Sequence, residues 1–295
     1  MQTLLLYASV VLIWGTTWVA IPFQLGDIDV EVSVGYRFLL AALLLYVYAV
    51  LTRRRLAVPL SALPTVLLQG LLLFCINYLF IYHGTAYLSS GLVAVLFSLI
   101  VILNAIFGRL FFKTSVDGRS LLAGAVGITG IGLLFWPEFR LPDSRGEALL
   151  GIALVLGGTL SASLGNMSAV ANAARQLPVV AVNAHGMLLG GTLSLLLAVA
   201  QSRPLKFSFD TDYLVSLLYL AVFGSAVAFG CYIALLRRIG ASRAAYSSVL
   251  FPVVALIMST FVEGYRWSFT AALGILLTLI GNWLVLSQNS SKESP

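Results

Sequence analysis

Long apolar stretches alternate with short polar ones along the whole chain. Stretches of about 20 apolar residues are typical of membrane-spanning helices, and runs such as 149–160 lack the alternation of a transmembrane β-strand. Because the polar stretches are short, consecutive helices should run antiparallel. The pattern predicts ten spans, at residues 3–22, 33–51, 64–84, 89–108, 119–136, 148–170, 180–200, 213–235, 242–262 and 268–287.

The chain also repeats itself at a constant spacing of 150 residues, the separation of Tyr82 from Tyr232. Chance matches between Leu- and Ala-rich segments are the alternative, but the predicted span boundaries keep the same register. The predicted units are a first repeat (1–137), a connecting loop (138–147), a second repeat (148–287) and a polar tail (288–295). The other identical pairs are Gly15/Gly165, Leu39/Leu189, Leu43/Leu193, Ala94/Ala244, Ser98/Ser248, Ala105/Ala255 and Gly124/Gly274.

Each half contains an odd number of predicted spans, so the second half should enter the membrane from the opposite face. The predicted fold is therefore an all-α polytopic membrane protein with ten transmembrane helices in two inverted five-helix repeats. This architecture is common among secondary transporters, whose substrate site lies near the midplane between the repeats. Channels can also be built in this way.

Composition and charge support a membrane protein. Hydrophobic residues make up 60% of the chain and charged residues 9%, whereas soluble domains carry about 25% charged residues. The net charge of +6 lies in short loops, so membrane topology explains it better than nucleic-acid binding. Most Lys and Arg residues fall on the side of the N-terminus, which predicts cytoplasmic termini in the plasma membrane, the inner membrane of a bacterium.

The charges missing from the spans restrict the substrate. No Asp or Glu lies deep in a predicted span, whereas exporters of lipophilic cations need such a carboxylate. Arg37 is the one candidate clamp for an anion, and we expect it to extend toward Asp27, Asp29 or Glu31 at the membrane surface. A neutral or zwitterionic, partly aromatic solute fits best. The two cysteines, Cys75 and Cys231, lack metal-ligand spacing, so no metal or cofactor is expected.

Several segments resemble the drug/metabolite transporter superfamily and, within it, the EamA family. The resemblance covers nearly the whole chain, although Ile102 and Lys113 depart from it in the first half. It implies alternating-access transport, and the aromatic-rich first and third spans resemble bacterial aromatic amino acid exporters of the YddG type. The matching segments are Trp14-Gly15-Thr16-Thr17-Trp18, Arg37-Phe38-Leu39-Leu40-Ala41-Ala42, and Pro252 followed by Glu263-Gly264.

Two groups of residues are the first candidates for a substrate site. In the first span, Trp14, Thr17 and Trp18 share one helical face and could form an aromatic wall; anchoring at the membrane interface is the alternative. In the third span, Tyr78 and Tyr82 share a face beside two further polar residues. They could bind a substrate or bond neighbouring helices. Those two polar residues are Asn77 and His83, and the histidine could instead carry protons or lie at the interface.

Further candidate site residues lie in both halves. The repeat-related serines could equally be small residues that allow close helix packing, whereas a buried amide is costly to leave unpaired. These candidates are Ser98, Ser248, Asn166, Tyr232 and Tyr246.

The resemblance and the uncharged aromatic candidates together predict a secondary transporter that exports amino acids, aromatic ones included. Its expected partners are the substrate and the lipid bilayer, and a monomer is the simplest assembly. A multidrug or nucleoside exporter is the alternative within the same superfamily. A membrane-embedded enzyme is the remote alternative, because no cluster with nucleophile or ligand spacing is present.

Overall fold

The computed structural model describes residues 2–113, 118–136, 145–228, 230–232, 234–235, 238–239 and 247–292. Throughout these ranges the regular structure is helical, which confirms the predicted all-helical class. The helices are α1 (Gln2–Ala20), α2 (Val30–Leu51), α3 (Leu60–Thr85), α4 (Ser90–Phe112), α5 (Gly118–Leu134), α6 (Arg145–Ala174), α7 (Val179–Ala200), α8 (Thr211–Tyr232), α9 (Ser247–Val262) and α10 (Phe269–Lys292).

Within the described ranges, seven helices are long and apolar enough to cross a membrane. Three shorter apolar helices, Leu122–Leu134, Ser247–Val262 and Phe269–Leu284, lie in the remaining predicted spans. The count of ten spans therefore stays a prediction.

Two helices extend beyond the predicted spans. Helix α6 begins at Arg145, within the segment predicted to connect the repeats, and α10 continues to Lys292, within the predicted polar tail. Hydropathy marks only the part of a helix that lies in hydrocarbon. Backbone hydrogen bonds continue a helix beyond that part wherever nothing interrupts them.

Helices at equivalent positions in the two halves pack against each other and run antiparallel. Ser194 near the end of α7 donates to the carbonyl of Glu31 at the start of α2 (2.8 Å), and Tyr46 near the end of α2 contacts His185 near the start of α7. An axis that relates antiparallel equivalent helices must be perpendicular to them. For helices that cross a membrane, such an axis lies in the membrane plane, as expected of inverted repeats.

Small residues allow the second equivalent pair, α5 and α10, to approach closely. A Cβ atom added to Gly130 would lie 2.5 Å from the carbonyl oxygen of Gly274, and one added to Gly281 would lie 2.6 Å from that of Ala123. Glycine is therefore required where these backbones meet, as is usual for close helix pairs in membranes.

Two helices are locally widened into π-helix at repeat-equivalent positions. The stretch Leu72–Ile76 lies in α3, and Tyr219–Val227 lies in α8. Adding the repeat spacing of 150 to residues 72–76 gives 222–226, which falls inside the second stretch. Such widened turns redirect side chains and carbonyl groups, and they are frequent at functional sites.

Candidate functional site

Arg37 of α2 contacts two tyrosines of α3. Arg37 is 3% exposed, and its Nη1 donates to the hydroxyl of Tyr82 at 3.2 Å. The guanidinium carbon lies 4.6 Å from the ring centre of Tyr78 and 5.3 Å from that of Phe38. Tyr78 and Tyr82 follow the π-helical stretch of α3 by two and six residues, and both contact Arg37 of α2.

The first helix contributes an indole to the same region. Trp14 Nε1 donates to the carbonyl oxygen of Gly224 at 3.0 Å. Gly224 lies within the π-helical stretch of α8, where the altered hydrogen-bond pattern leaves carbonyl groups available to other donors. The Trp14 ring also contacts Tyr232 of α8 and Phe251 of α9, with ring centres 5.2 and 5.4 Å apart.

Gly224 brings α8 against both α1 and α2. A Cβ atom at this position would lie 2.8 Å from Thr17 Cγ2 and 3.8 Å from Arg37 Nη2. Helices from both halves of the chain therefore meet here. We call this group the central cluster: Trp14, Thr17, Arg37, Phe38, Tyr78, Tyr82, Gly224 and Tyr232.

Five of the predicted site residues belong to the central cluster, namely Trp14, Thr17, Tyr78, Tyr82 and Tyr232. Trp18 lies beside it and packs against Phe97 of α4, with ring centres 5.1 Å apart. These contacts support the expected aromatic wall on one face of α1. Whether the wall binds a substrate stays a prediction.

Three of the remaining predicted residues have partners elsewhere. Asn77 donates to Leu73 O of its own helix (3.2 Å), and Ser98 donates to Val95 O (2.6 Å). Asn166 lies 3.4 Å from the side-chain oxygen of Asn104, which links α6 to α4. Ser248 is half-buried, and Tyr246 lies outside the described residues.

His83 lies at the outer edge of this region, away from Tyr82. Its Nε2 is 3.3 Å from a carboxylate oxygen of Glu31, and its side chain is 46% exposed. Glu31 itself is buried in the first turn of α2. The pair joins α2 to α3 at one end of the bundle. A place at the membrane interface was one of the alternatives for His83 in the sequence analysis.

The structure corrects the expectation for Arg37. Instead of extending toward Asp27, Asp29 or Glu31, its side chain turns into the bundle and contacts two tyrosines. The aromatic faces attract the guanidinium, and the Tyr82 hydroxyl accepts its hydrogen bond. An arginine inside an apolar helix was the available signal, but the sequence could not show which way the side chain turned.

Two buried polar networks, also missed from the sequence, lie at opposite ends of the bundle. The near-side network, at the end where α1 begins, joins α3, α6 and α7. Gln69 Nε2 donates to Asn183 Oδ1 (3.1 Å), and Asn172 Nδ2 donates to Gln69 Oε1 (2.9 Å). Thr65 extends the network by donating to Asn172 Oδ1 at 2.6 Å.

The far-side network joins α8 to α2 and to the segment after α1. Gln24 Nε2 donates to Ser216 Oγ (2.6 Å) and to Tyr213 O (3.0 Å). Ser33 lies 3.2 Å from the Tyr213 hydroxyl. Both networks contain residues of both halves. Ser33 and Asn183 are repeat-equivalent positions, so equivalent helices contribute to the two networks at opposite ends of the molecule.

A cleft with a volume of about 340 Å³ lies between α1 and α8. Thr16, Val19 and Tyr219 are among its lining residues. On α1 these positions lie on the face opposite Trp14 and Trp18, so the cleft is separate from the central cluster. No group of three or more His, Cys, Asp or Glu residues suited to a metal ion occurs in the part of the chain that the structure describes.

Comparison with known proteins identifies the family. The profile of the EamA-like transporter family matches residues 1–136 and 149–287. The chain belongs to this family. Its two matched segments correspond to the two repeats of an EamA-like transporter, so the protein is a multi-pass membrane transporter.

Individual relatives agree with the family. Protein PagO of Salmonella typhimurium is 25% identical over 285 residues, which cover 96% of this chain and 92% of PagO. The uncharacterized inner membrane transporter YedA of Escherichia coli is 28% identical over 260 residues, covering 86% of this chain and 80% of YedA. A crystal structure of another protein superposes with a TM-score of 0.70 at 15% identity, covering 99% of both chains, which supports the fold alone.

Proposed function

We propose that this EamA-like transporter exports amino acids, aromatic ones included. The observation that carries the proposal is the central cluster, in which aromatic rings from α1, α3 and α8 surround a buried polar centre between the two repeats. Tyrosine and tryptophan rings can stack on the apolar side chain of an amino acid, while their polar atoms bind its ammonium and carboxylate groups. The same surroundings disfavour a cationic drug, because Arg37 already places a positive charge there.

The two polar networks support transport by alternating access. Each joins helices at one end of the bundle, and both are formed in this structure. Disrupting the near-side network would open the path to one membrane face while the far-side network keeps the other face closed. Because the two networks lie at repeat-related ends, opening of the far side would be the same kind of step: the far-side network breaks while the near-side network stays formed.

The charge distribution supports an orientation with both termini in the cytoplasm. The exposed Arg53, Arg54 and Arg55 follow α2 at the end of the bundle where α1 begins. An excess of Lys and Arg marks the cytoplasmic face of a membrane protein. We propose the inner membrane of a bacterium as the location, which is also the membrane named for the relative YedA.

Transport by purified protein in proteoliposomes tests the function. Radiolabelled Phe, Met and Thr should each cross faster than into empty liposomes, and should be measured with and without a pH gradient. Uridine and a lipophilic cation serve as probes for the alternative functions. Transport of either probe without any amino acid transport would overturn amino acid export while leaving the family assignment intact.

A further inference from the structure

Arg37 differs from every other basic residue whose burial the structure describes. The other lysines and arginines in that set are exposed, whereas Arg37 is 3% exposed. It lies seven residues into α2, about 10 Å from the helix start at a rise of about 1.5 Å per residue. Ionisable groups at such depth are unfavourable and commonly mark substrate or ion pathways.

The Arg37 charge is not neutralised by a carboxylate in the described part of the chain. The ion pairs found there are His83–Glu31 and Arg203–Asp29. A guanidinium carries five N–H donors, yet Arg37 Nε has no hydrogen-bond partner among the described residues. The site therefore has both a net positive charge and donor capacity that its described protein neighbours leave unused.

Packing alone does not require this charge. The repeat-equivalent position in α7 is Met187, which is 0% exposed. Methionine and arginine have unbranched stems of similar length, so an apolar side chain fills the same position in the other half. A feature present in one half only is more simply explained by the substrate than by the fold.

We propose that Arg37 binds the carboxylate of the transported substrate. This inference deepens the proposed amino acid export and rests on it. Arginine presents paired N–H groups that match the two oxygens of a carboxylate. Gly224 has no side chain beside the guanidinium, where an added Cβ would lie 3.8 Å from Arg37 Nη2. One buried positive charge balances one carboxylate, whereas a phosphate dianion would need a second cation.

Competition experiments with wild-type protein test the preference for a carboxylate. Uptake of radiolabelled L-phenylalanine into proteoliposomes is measured against 3-phenylpropionate, which lacks the amino group, and phenethylamine, which lacks the carboxylate. We expect 3-phenylpropionate to compete at about a tenfold or more lower concentration, because hydrogen bonds to charged groups are among the stronger ones. Equal competition by the two compounds would overturn the inference.

The variant Arg37→Met links the preference to the residue. Met187 shows that this side chain fits the equivalent position, so the variant should fold. It should lose the preference for 3-phenylpropionate, and Arg37→Lys should keep only part of it because an ammonium cannot make the paired contact. Arg203→Met, which removes an exposed arginine outside the cluster, is the matched control and should behave as wild type.

Binding measurements keep this inference separate from the proposed function. Thermal unfolding of wild-type protein is recorded with each of the two compounds. If no amino acid is transported but 3-phenylpropionate stabilises the protein and phenethylamine does not, export fails and the carboxylate site stands. If amino acids are transported and Arg37→Met retains the preference for 3-phenylpropionate, export stands and the role of Arg37 is refuted. Should Arg37→Met not fold, the wild-type competition and unfolding data decide.

Discussion

Replacing Gln69 by leucine should open the near-side end of the transporter. Gln69 is 3% exposed and makes two side-chain hydrogen bonds, one to Asn183 (3.1 Å) and one from Asn172 (2.9 Å). Leucine has a similar volume but can make neither bond. Asn183 Oδ1 then loses its donor and Asn172 Nδ2 loses its 2.9 Å acceptor in the closed state, although Asn172 keeps its bonds to Thr65. Water can replace the lost partners when this end opens.

The size of the effect follows from the two lost bonds. Each contributes about 0.5–1.5 kcal/mol net, and an unsatisfied buried amide costs about 1–3 kcal/mol. The two bonds together make the closed state weaker by about 1–3 kcal/mol relative to the near-side-open state. Since about 1.4 kcal/mol is tenfold in an equilibrium constant, the near-side-open population should rise by a factor of about five to a hundred.

Labelling of a central position reports which end is open. Thr17→Cys is introduced into protein whose own cysteines are replaced (Cys75→Ala and Cys231→Ala), and a membrane-impermeant maleimide is added from either side of oriented proteoliposomes. With Gln69→Leu, labelling should accelerate from the near side. The matched variant Gln24→Leu removes the two bonds that the Gln24 side chain donates in the far-side network and should accelerate labelling from the far side instead.

The decisive result is that the two variants accelerate labelling from opposite sides of the membrane. Both variants must remain monodisperse, which excludes general unfolding as the cause of any faster labelling. If both variants accelerate labelling from the same side, or if folded protein shows no change in either, the networks do not control access. The transporter family would be unaffected by that outcome.

Three further predictions concern binding, topology and packing. Tyr82→Ala should weaken phenylalanine transport several-fold and threonine transport less, because a lost stacking contact is worth about 0.5–1.5 kcal/mol; equal losses would argue for packing alone. Asp143→Cys should be labelled from outside whole cells and Arg54→Cys should not, and the opposite pattern would invert the orientation. Gly130→Ala should lower the thermal unfolding temperature, because its Cβ would meet a backbone oxygen at 2.5 Å, whereas Gly132→Ala, with open space around it, should not.

The helices were predictable because lipid imposes a strong and local rule. An apolar stretch must form a helix in order to satisfy its backbone hydrogen bonds, so the predicted 180–200 agrees closely with the observed Val179–Ala200. The rule applies to the apolar part only. It therefore missed the start of α6 at Arg145 and the continuation of α10 to Lys292, where the helix extends beyond the apolar part.

The polar contacts were harder to predict, because a partner is a property of two helices. The face shared by Tyr78 and Tyr82 follows from helical spacing, and both residues do lie in the central cluster. Nothing in the spacing shows that Arg37 turns toward them rather than toward Glu31. The networks were missed for a related reason: a search for identical residues at the repeat spacing passes over Ser33 and Asn183, which differ in type but occupy equivalent positions.

The two halves share their helix arrangement but differ in the side chains at equivalent positions, and the difference has a consequence for transport. An exact two-fold site would bind a substrate equally well in two opposite directions. Here the repeat-equivalent residue of Arg37 is Met187, and that of Trp14 is Leu164. Tyr82 and Tyr232, by contrast, are an equivalent pair with the same residue type in both halves. Closure at the two ends can therefore use symmetric helix movements. If Arg37 binds the substrate carboxylate as proposed, the charge and the indole of the first half should give the substrate a single orientation. For a solute with a carboxylate at one end and a ring at the other, that asymmetry should keep the bound orientation the same whichever end opens.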